Sequence, residues 1–179
     1  MAMYRLLDRV SPADGDCGRF CGAACCNYAG TDFGIYLYPG EEKLFEDEIH
    51  RSSESGWLSW SVEDAEDYEF PLSWRGKVYF ASCTGPAFCV RHMRPLQCRF
   101  FPLAPHLTKD GTLHLILYPG ELPYRCPLLA PDFPLDERFV RATYTVWKRL
   151  IQDPLIRDLV AQDSKERQEI NLVCRGKPI

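Results

Sequence analysis

Between about Leu135 and Ile151 the apolar positions recur every three to four residues, and Phe139, Thr143, Val146, Trp147 and Leu150 fall on one face of a helix. Asp153-Pro154 ends that helix and predicts another behind it, with Leu155, Ile156, Leu159 and Val160 turned inward. From Asp163 the pattern turns polar, which predicts a frayed helix or a disordered tail.

Upstream the periods are shorter. Residues 35–38 (IYLY) read as a strand closed by Pro39-Gly40, and Trp57 to Trp60 and Lys77 to Ser82 carry strand-like residues. Leu113 to Tyr118 is a further strand, entered through the turn Lys109-Asp110-Gly111. Glu41 to His50 predicts a short helix with acids in its first turn, where the helix dipole favours them. Leu44, Phe45, Glu48 and Ile49 share one of its sides. Pro86, Pro95, Pro102 and Pro105 predict neither a long helix nor a regular strand within 83–106. Residues 1–34, rich in Gly, Asp and Cys, read as a loop wrapped around something. The pentapeptide LYPGE occurs at Leu37–Glu41 and again at Leu117–Glu121, through duplication or through a shared way of leaving a strand by a turn. The pattern as a whole predicts an α+β, loop-rich cysteine-cluster domain with a small antiparallel sheet and C-terminal helices. We divide it into a cysteine-cluster domain over 1–134 and a helical extension over 135–179 that packs on it.

Composition narrows this picture. A chain of 179 residues can bury roughly 70% of its unfolded surface, so it has no need of covalent staples. The net charge of −4 is unevenly spread, with 7 Lys/Arg against 15 Asp/Glu in residues 1–82 and 14 against 10 in 83–179. The acids gather between Glu41 and Glu69, which reads as a solvated face or, alternatively, as an acidic docking surface for a protein partner. Phosphate binding needs clustered cations, so nucleic acid is not expected on this half. No run approaches the ~18 apolar residues of a membrane span, and the N-terminus has no signal-peptide core. The expectation is a soluble protein of a reducing cytoplasm, with no membrane partner.

Nine cysteines then need an explanation, and an odd number leaves one thiol over in any intramolecular disulfide scheme. Cys17, Cys21, Cys25 and Cys26 stand in CGRFCGAACC, with glycines that let the chain curl. A tetrahedral ion needs ligands converging at ~2.3 Å, and a curled, thiol-rich loop suits zinc or an iron–sulfur cluster. Neighbouring side chains diverge, so Cys25 and Cys26 serve different ions, or one of them faces the core, or the two form a strained vicinal disulfide. Cys83, Cys89, Cys98 and Cys126 complete a set of eight, while Cys174 is a bystander. Spacing leaves open two four-ligand sites, one mixed site with bystanders, or a polynuclear cluster. Any single cysteine also has a plainer reading as a small buried hydrophobe.

FCVRHMRPLQCRFFP at 88–102, together with the N-terminal cluster, resembles the YkgJ-like cysteine-cluster family, a zinc- or iron-chelating domain. Cys89, Arg94, Pro95, Cys98, Arg99 and Pro102 appear in that family's order, and the likeness covers roughly 15–126. His92 stands where the family carries an aromatic, and the gap from Cys89 to Arg94 is one residue shorter. The cysteine segment is also similar to that of flagellin lysine methylases. The resemblance implies metal chelation by the cysteines and supplies no substrate.

Four thiolates around a divalent ion leave a net charge near roughly −2, which needs donors or cations beside it. Arg94 and Arg99 are the expected cofactor-supporting cations, with ordinary surface ion pairs as the alternative. Among the four histidines only His92 lies between two cysteines, as a candidate ligand or proton carrier. Catalytic residues are not identifiable. Three functions follow: a metal-binding protein; an iron–sulfur oxidoreductase or protein-methylase-like enzyme; or a zinc-stabilised interaction module docking through its acidic stretch.

Overall fold

The computed structural model describes residues 2–27, 34–45, 58–83, 85, 89 and 91–169. In chain order these form α1 (Ala2–Leu7), α2 (Ala24–Asn27), β1 (Ile35–Tyr36), α3 (residues 42–45), β2 (Leu58–Asp64) and β3 (Lys77–Cys83). There follow α4 (Leu96–Phe100), β4 (Leu103–Leu107), β5 (Leu113–Leu117), α5 (Glu137–Leu150) and α6 (Pro154–Glu169). The protein is an α+β, loop-rich domain with two small antiparallel sheets. One has the order β1-β3-β2 and the other pairs β4 with β5.

The amphipathic helices behave as their period requires. Asp136 caps α5 by accepting from the N–H groups of Arg138 and Phe139, at 2.7 and 3.4 Å. Phe139, Thr143, Val146, Trp147 and Leu150 are all buried on its inner face. They meet Tyr4 and Leu7 of α1, Phe45 of α3, Phe100 of α4 and Leu115 of β5 in one core. Residues on both sides of the 134/135 boundary therefore share that core. Trp147 sits at its centre, edge-on to Tyr38 at 5.6 Å and tilted on Phe100 at 4.8 Å. A smaller cluster of Ala65, Trp74 and Val78 lies under β2 and β3, with Phe70 stacked on Trp74 at 4.7 Å. The Trp74 indole donates to the Leu155 carbonyl at 2.7 Å, joining this cluster to α6.

Four expectations are corrected. Residues 2–7 are helical rather than loop, because Tyr4 and Leu7, one turn apart, both have core to enter. Leu103–Leu107 is a regular strand despite Pro105. The register sets Ala104 against Ile116 and His106 against His114, so Pro105 faces away from β5, where it owes the ladder no N–H. Its carbonyl accepts from the Arg167 guanidinium at 2.7 Å, and the Leu107 N–H donates to the Ser164 hydroxyl at 2.9 Å. Those two contacts also explain the third difference. The polar stretch after Asp163 continues α6 to Glu169, because Ser164 and Arg167 serve the outer edge of β4. Ser164 itself is buried.

The fourth correction concerns the acidic stretch and the two LYPGE copies. Glu41 is not part of a solvated face: it is buried. It precedes α3 instead of lying in its first turn. The second copy leaves β5 without the turn made by the first, so the two do not share one strand-to-turn solution. Residues 46–57, with His50 and Trp57, lie outside the described residues, as does Cys174.

Candidate metal centre

The first cysteines are set by a sharp chain reversal. Asp16 caps a single 3-10 turn over Cys17–Phe20 by accepting from the Gly18 N–H at 3.2 Å. Gly22 and Ala23 then take successive positive φ angles of 63° and 55°. That left-handed pair turns the chain, and the Ala23 N–H donates back to the Gly18 carbonyl at 2.9 Å. The segments carrying Cys17 and Cys21 and those carrying Cys25 and Cys26 are thereby folded against each other. Alanine is strained at such an angle, as residues at functional sites often are.

The later cysteines arrive from other elements. Cys83 is the last residue of β3, Cys98 is the third of α4, and Cys126 precedes a 3-10 turn over Pro127–Leu129. Phe20 meets the Phe133 ring at 5.9 Å, which ties the first cysteine loop to the segment after Cys126. Gln97 donates to the Tyr36 carbonyl at 2.6 Å, tying α4 to the three-stranded sheet that carries Cys83.

All eight described thiols are free, and none is fully buried. Small hydrophobic cysteines would be packed into the core; among these eight, Cys83 packs against it while partly exposed, and the others are not part of it. Cys17, Cys25, Cys26, Cys83, Cys89 and Cys98 line one cleft of about 530 Å³. The Cys25 and Cys26 sulfurs are 3.8 Å apart. That contact lowers the Cys25 thiol and raises Cys26, with burial adding to the rise at Cys26. Cys98 is open to the cleft but crowded by protein on its other sides. Burial first, then the neighbouring Cys26, Cys83 and Cys89, pushes its thiol up to about 12.

Arg94 lies where a thiolate needs a donor. Its Nε donates to the Cys89 sulfur at 3.1 Å, and its guanidinium stands 3.7 Å from Asp16. Arg99 is engaged elsewhere. It donates to the carbonyls of Arg94 and His92, at 2.6 and 2.7 Å, and pairs with Asp8 at 2.5 Å. Its guanidinium also lies 4.5 Å from the Tyr4 ring centroid. Arg99 thus fastens α1 to the segment between Cys89 and Cys98. The His92 side chain is exposed.

Sequence reasoning missed Glu41. Its carboxylate accepts from the Tyr38 N–H at 3.0 Å, from the Leu96 N–H at 2.7 Å and from the Tyr4 hydroxyl. It therefore holds the start of α4, two residues before Cys98, against α1 and β1. Burial is the largest influence on it and raises its carboxyl above the usual range. The sequence carries no signal for it, since the same Tyr-Pro-Gly-Glu run at 118–121 ends in an exposed glutamate.

The donor set suits a thiophilic ion: eight sulfurs, no disulfide, and a cation already seated on one of them. Among the described residues, however, no three or more Cys, His, Asp or Glu side chains form a group that could hold an ion as they stand. The thiols gather without converging. No described helix is long and apolar enough to cross a membrane. No family model, no curated protein and no solved structure matches the chain, so its resemblance to the cysteine-cluster family rests on the quoted residues alone.

Proposed function

We propose that this chain is a metal-binding protein whose cysteines chelate zinc or iron, the latter as an iron–sulfur centre, in a reducing cytoplasm. One observation carries the reading: half-exposed, unbridged thiols from positions as distant as 17 and 98 line a single cleft. Packing gives no reason for that assembly, whereas ligation does. Arg94 holds the Cys89 sulfur and offsets its charge, Glu41 fixes the helix start beside Cys98, and Arg99 anchors the intervening loop. A bound zinc would organise the fold without redox chemistry, whereas an iron–sulfur centre would supply one-electron transfer.

The second reading, an iron–sulfur oxidoreductase or protein-methylase-like enzyme, is favoured by the cleft itself. It continues from the thiols along Tyr36, Phe70, Trp74, Tyr118 and Tyr124. Its volume of about 530 Å³ falls within the range of small-molecule sites.

Purification under strict exclusion of oxygen, followed by elemental analysis, tests both. Stoichiometric zinc in a colourless protein supports a structural centre. Iron with acid-labile sulfide and a broad visible absorption supports the redox centre and keeps the enzyme reading open. Protein free of transition metal, and unable to take up zinc or iron after reduction, sinks the proposal.

A further inference from the structure

We propose, resting on the second reading above of the cleft as a small-molecule site, that it binds a flat, uncharged, fused nitrogen heterocycle. Asp163 and Arg167 of α6 would hold that ring by an amide-type edge, an N–H beside a carbonyl or ring nitrogen.

The cleft is lined by one strand from each sheet, β1 and β4, and by α6. Backbone groups along those strands are already taken, which rules out a peptide bound as an added strand. On the side of β1 away from β3, the Tyr36 carbonyl accepts from Gln97 at 2.6 Å and the Tyr38 N–H donates to Glu41 at 3.0 Å. On the side of β4 away from β5, Arg167 donates to the Pro105 carbonyl and the Leu107 N–H donates to Ser164. An incoming strand needs those same groups. What the walls offer instead is rings: Tyr36, Phe70, Trp74, Phe101, Tyr118 and Tyr124. Aromatic side chains favour another ring, stacked or edge-on.

The polar groups on the α6 side select the kind of ring. Arg167 pairs with Asp163, one turn before it, at 3.2 Å; its side chain is 13% exposed, while that of Asp163 is 41% exposed. The pair cancels its own charge, so a phosphate or carboxylate could reach Arg167 only by facing Asp163. A neutral edge meets no such opposition. Its N–H donates to the carboxylate while its acceptor receives from the guanidinium. Five N–H donors on an arginine and about four lone-pair directions on a carboxylate exceed what their mutual contact and the Pro105 carbonyl use. Trp147 adds a donor. It lines the same cleft, is buried, and its indole N–H has no acceptor among the described residues. Burying an N–H without a partner is costly, and an acceptor on the ligand would relieve that cost.

Equilibrium dialysis of the full chain, isolated without oxygen, tests this with three sources of the edge: lumichrome (a flavin ring), pterin and guanosine. Quinoline supplies fused rings without the edge, and decanoate an aliphatic chain with an anionic head. The expected result is saturable one-to-one binding of at least one of the three, at least about tenfold tighter than quinoline. Asp163→Asn should weaken that ligand about tenfold, and methylating the ligand's own edge N–H should do the same to the unaltered protein. The methylated ligand keeps the test decisive if the variant fails to fold. Tyr118→Leu should weaken binding several-fold, roughly the worth of one ring contact. Binding that ignores both Asp163→Asn and the methylation overturns the proposal, as does a best heterocycle no tighter than quinoline. Decanoate bound more tightly than all three heterocycles rejects the ligand class while leaving a small-molecule site standing. No probe bound at all rejects the small-molecule reading of the cleft as well.

Discussion

Leu37–Glu41 and Leu117–Glu121 carry the same five residues and end in opposite environments. In the first copy Leu37, Tyr38 and Glu41 are buried. The Glu41 N–H closes the turn on the Tyr38 carbonyl at 2.9 Å, with Gly40 at φ 84°. Proline followed by a positive-φ glycine is the signature of a type II turn. In the second copy Tyr118 is 39% exposed, and Glu121 is exposed as well. The Tyr118 N–H goes instead to the Pro102 carbonyl, at 2.8 Å. The difference lies in what surrounds them. The first is enclosed by α1 and the start of α4, which present a hydroxyl and an N–H to its carboxylate. The second runs out along the cleft wall. Identical local sequence therefore yields a clamp in one place and a rim in the other, and tertiary donors decide which.

The sharpest way to break this comparison is to remove both carboxylates in turn. Glu41→Ala strands two N–H groups and a hydroxyl in the interior, and each orphan costs ~1–3 kcal/mol, so a loss of about 3 kcal/mol or more is expected in urea unfolding. Glu121→Ala should stay within about 0.5 kcal/mol. Equal losses would show that the two copies are not different in kind.

A second contrast uses pH. Burial raises the Glu41 carboxyl, so the folded chain retains a proton that the unfolded chain releases. Stability should therefore fall as pH climbs from the ordinary glutamate value, ~4.3, through the higher folded value. Comparing unfolding curves of the unaltered protein with Glu41→Gln isolates this slope, which the variant should lack. Glu121→Gln should leave it intact.

The turns give a smaller effect. Gly40→Ala forces a side chain into a left-handed conformation and should cost about 1–2 kcal/mol. Gly120 has no such angle, and the nearest atoms an added methyl would meet there belong to the Tyr118 ring, at 2.7 Å. Because that ring is partly exposed it can swing aside, so Gly120→Ala should destabilise less by thermal melting. Smallest of all, Tyr118→Phe should leave the melting temperature unchanged, since Tyr118 is engaged in the fold through its backbone.

Helices and strands with a clear period were legible in advance. Trp147 and its face of α5, and the LHLIL run of β5, follow from spacing alone. α1 was not, because six residues hold too little period to separate a helix from a loop. β4 was hidden by Pro105, whose harmlessness depends on which way the strand faces, and that is fixed by a partner in β5. Glu41 was hidden by its neighbours: an acid in an acidic run reads as solvated until Tyr4 and Leu96 arrive from elsewhere. The thiols stood out by type, yet which of them line one cleft was unreadable, because that depends on how β3 and α4 approach the first loop.

The far side of β4 carries a consequence beyond the site. A two-stranded ribbon has two open flanks, and backbone groups on an open flank recruit strands from other molecules. Ser164 and Arg167 occupy those groups at Leu107 and Pro105, so the last helix acts as a sheath against self-association. A chain cut after α5 should consequently be sticky as well as less stable, forming intermolecular strands that the uncut chain forbids.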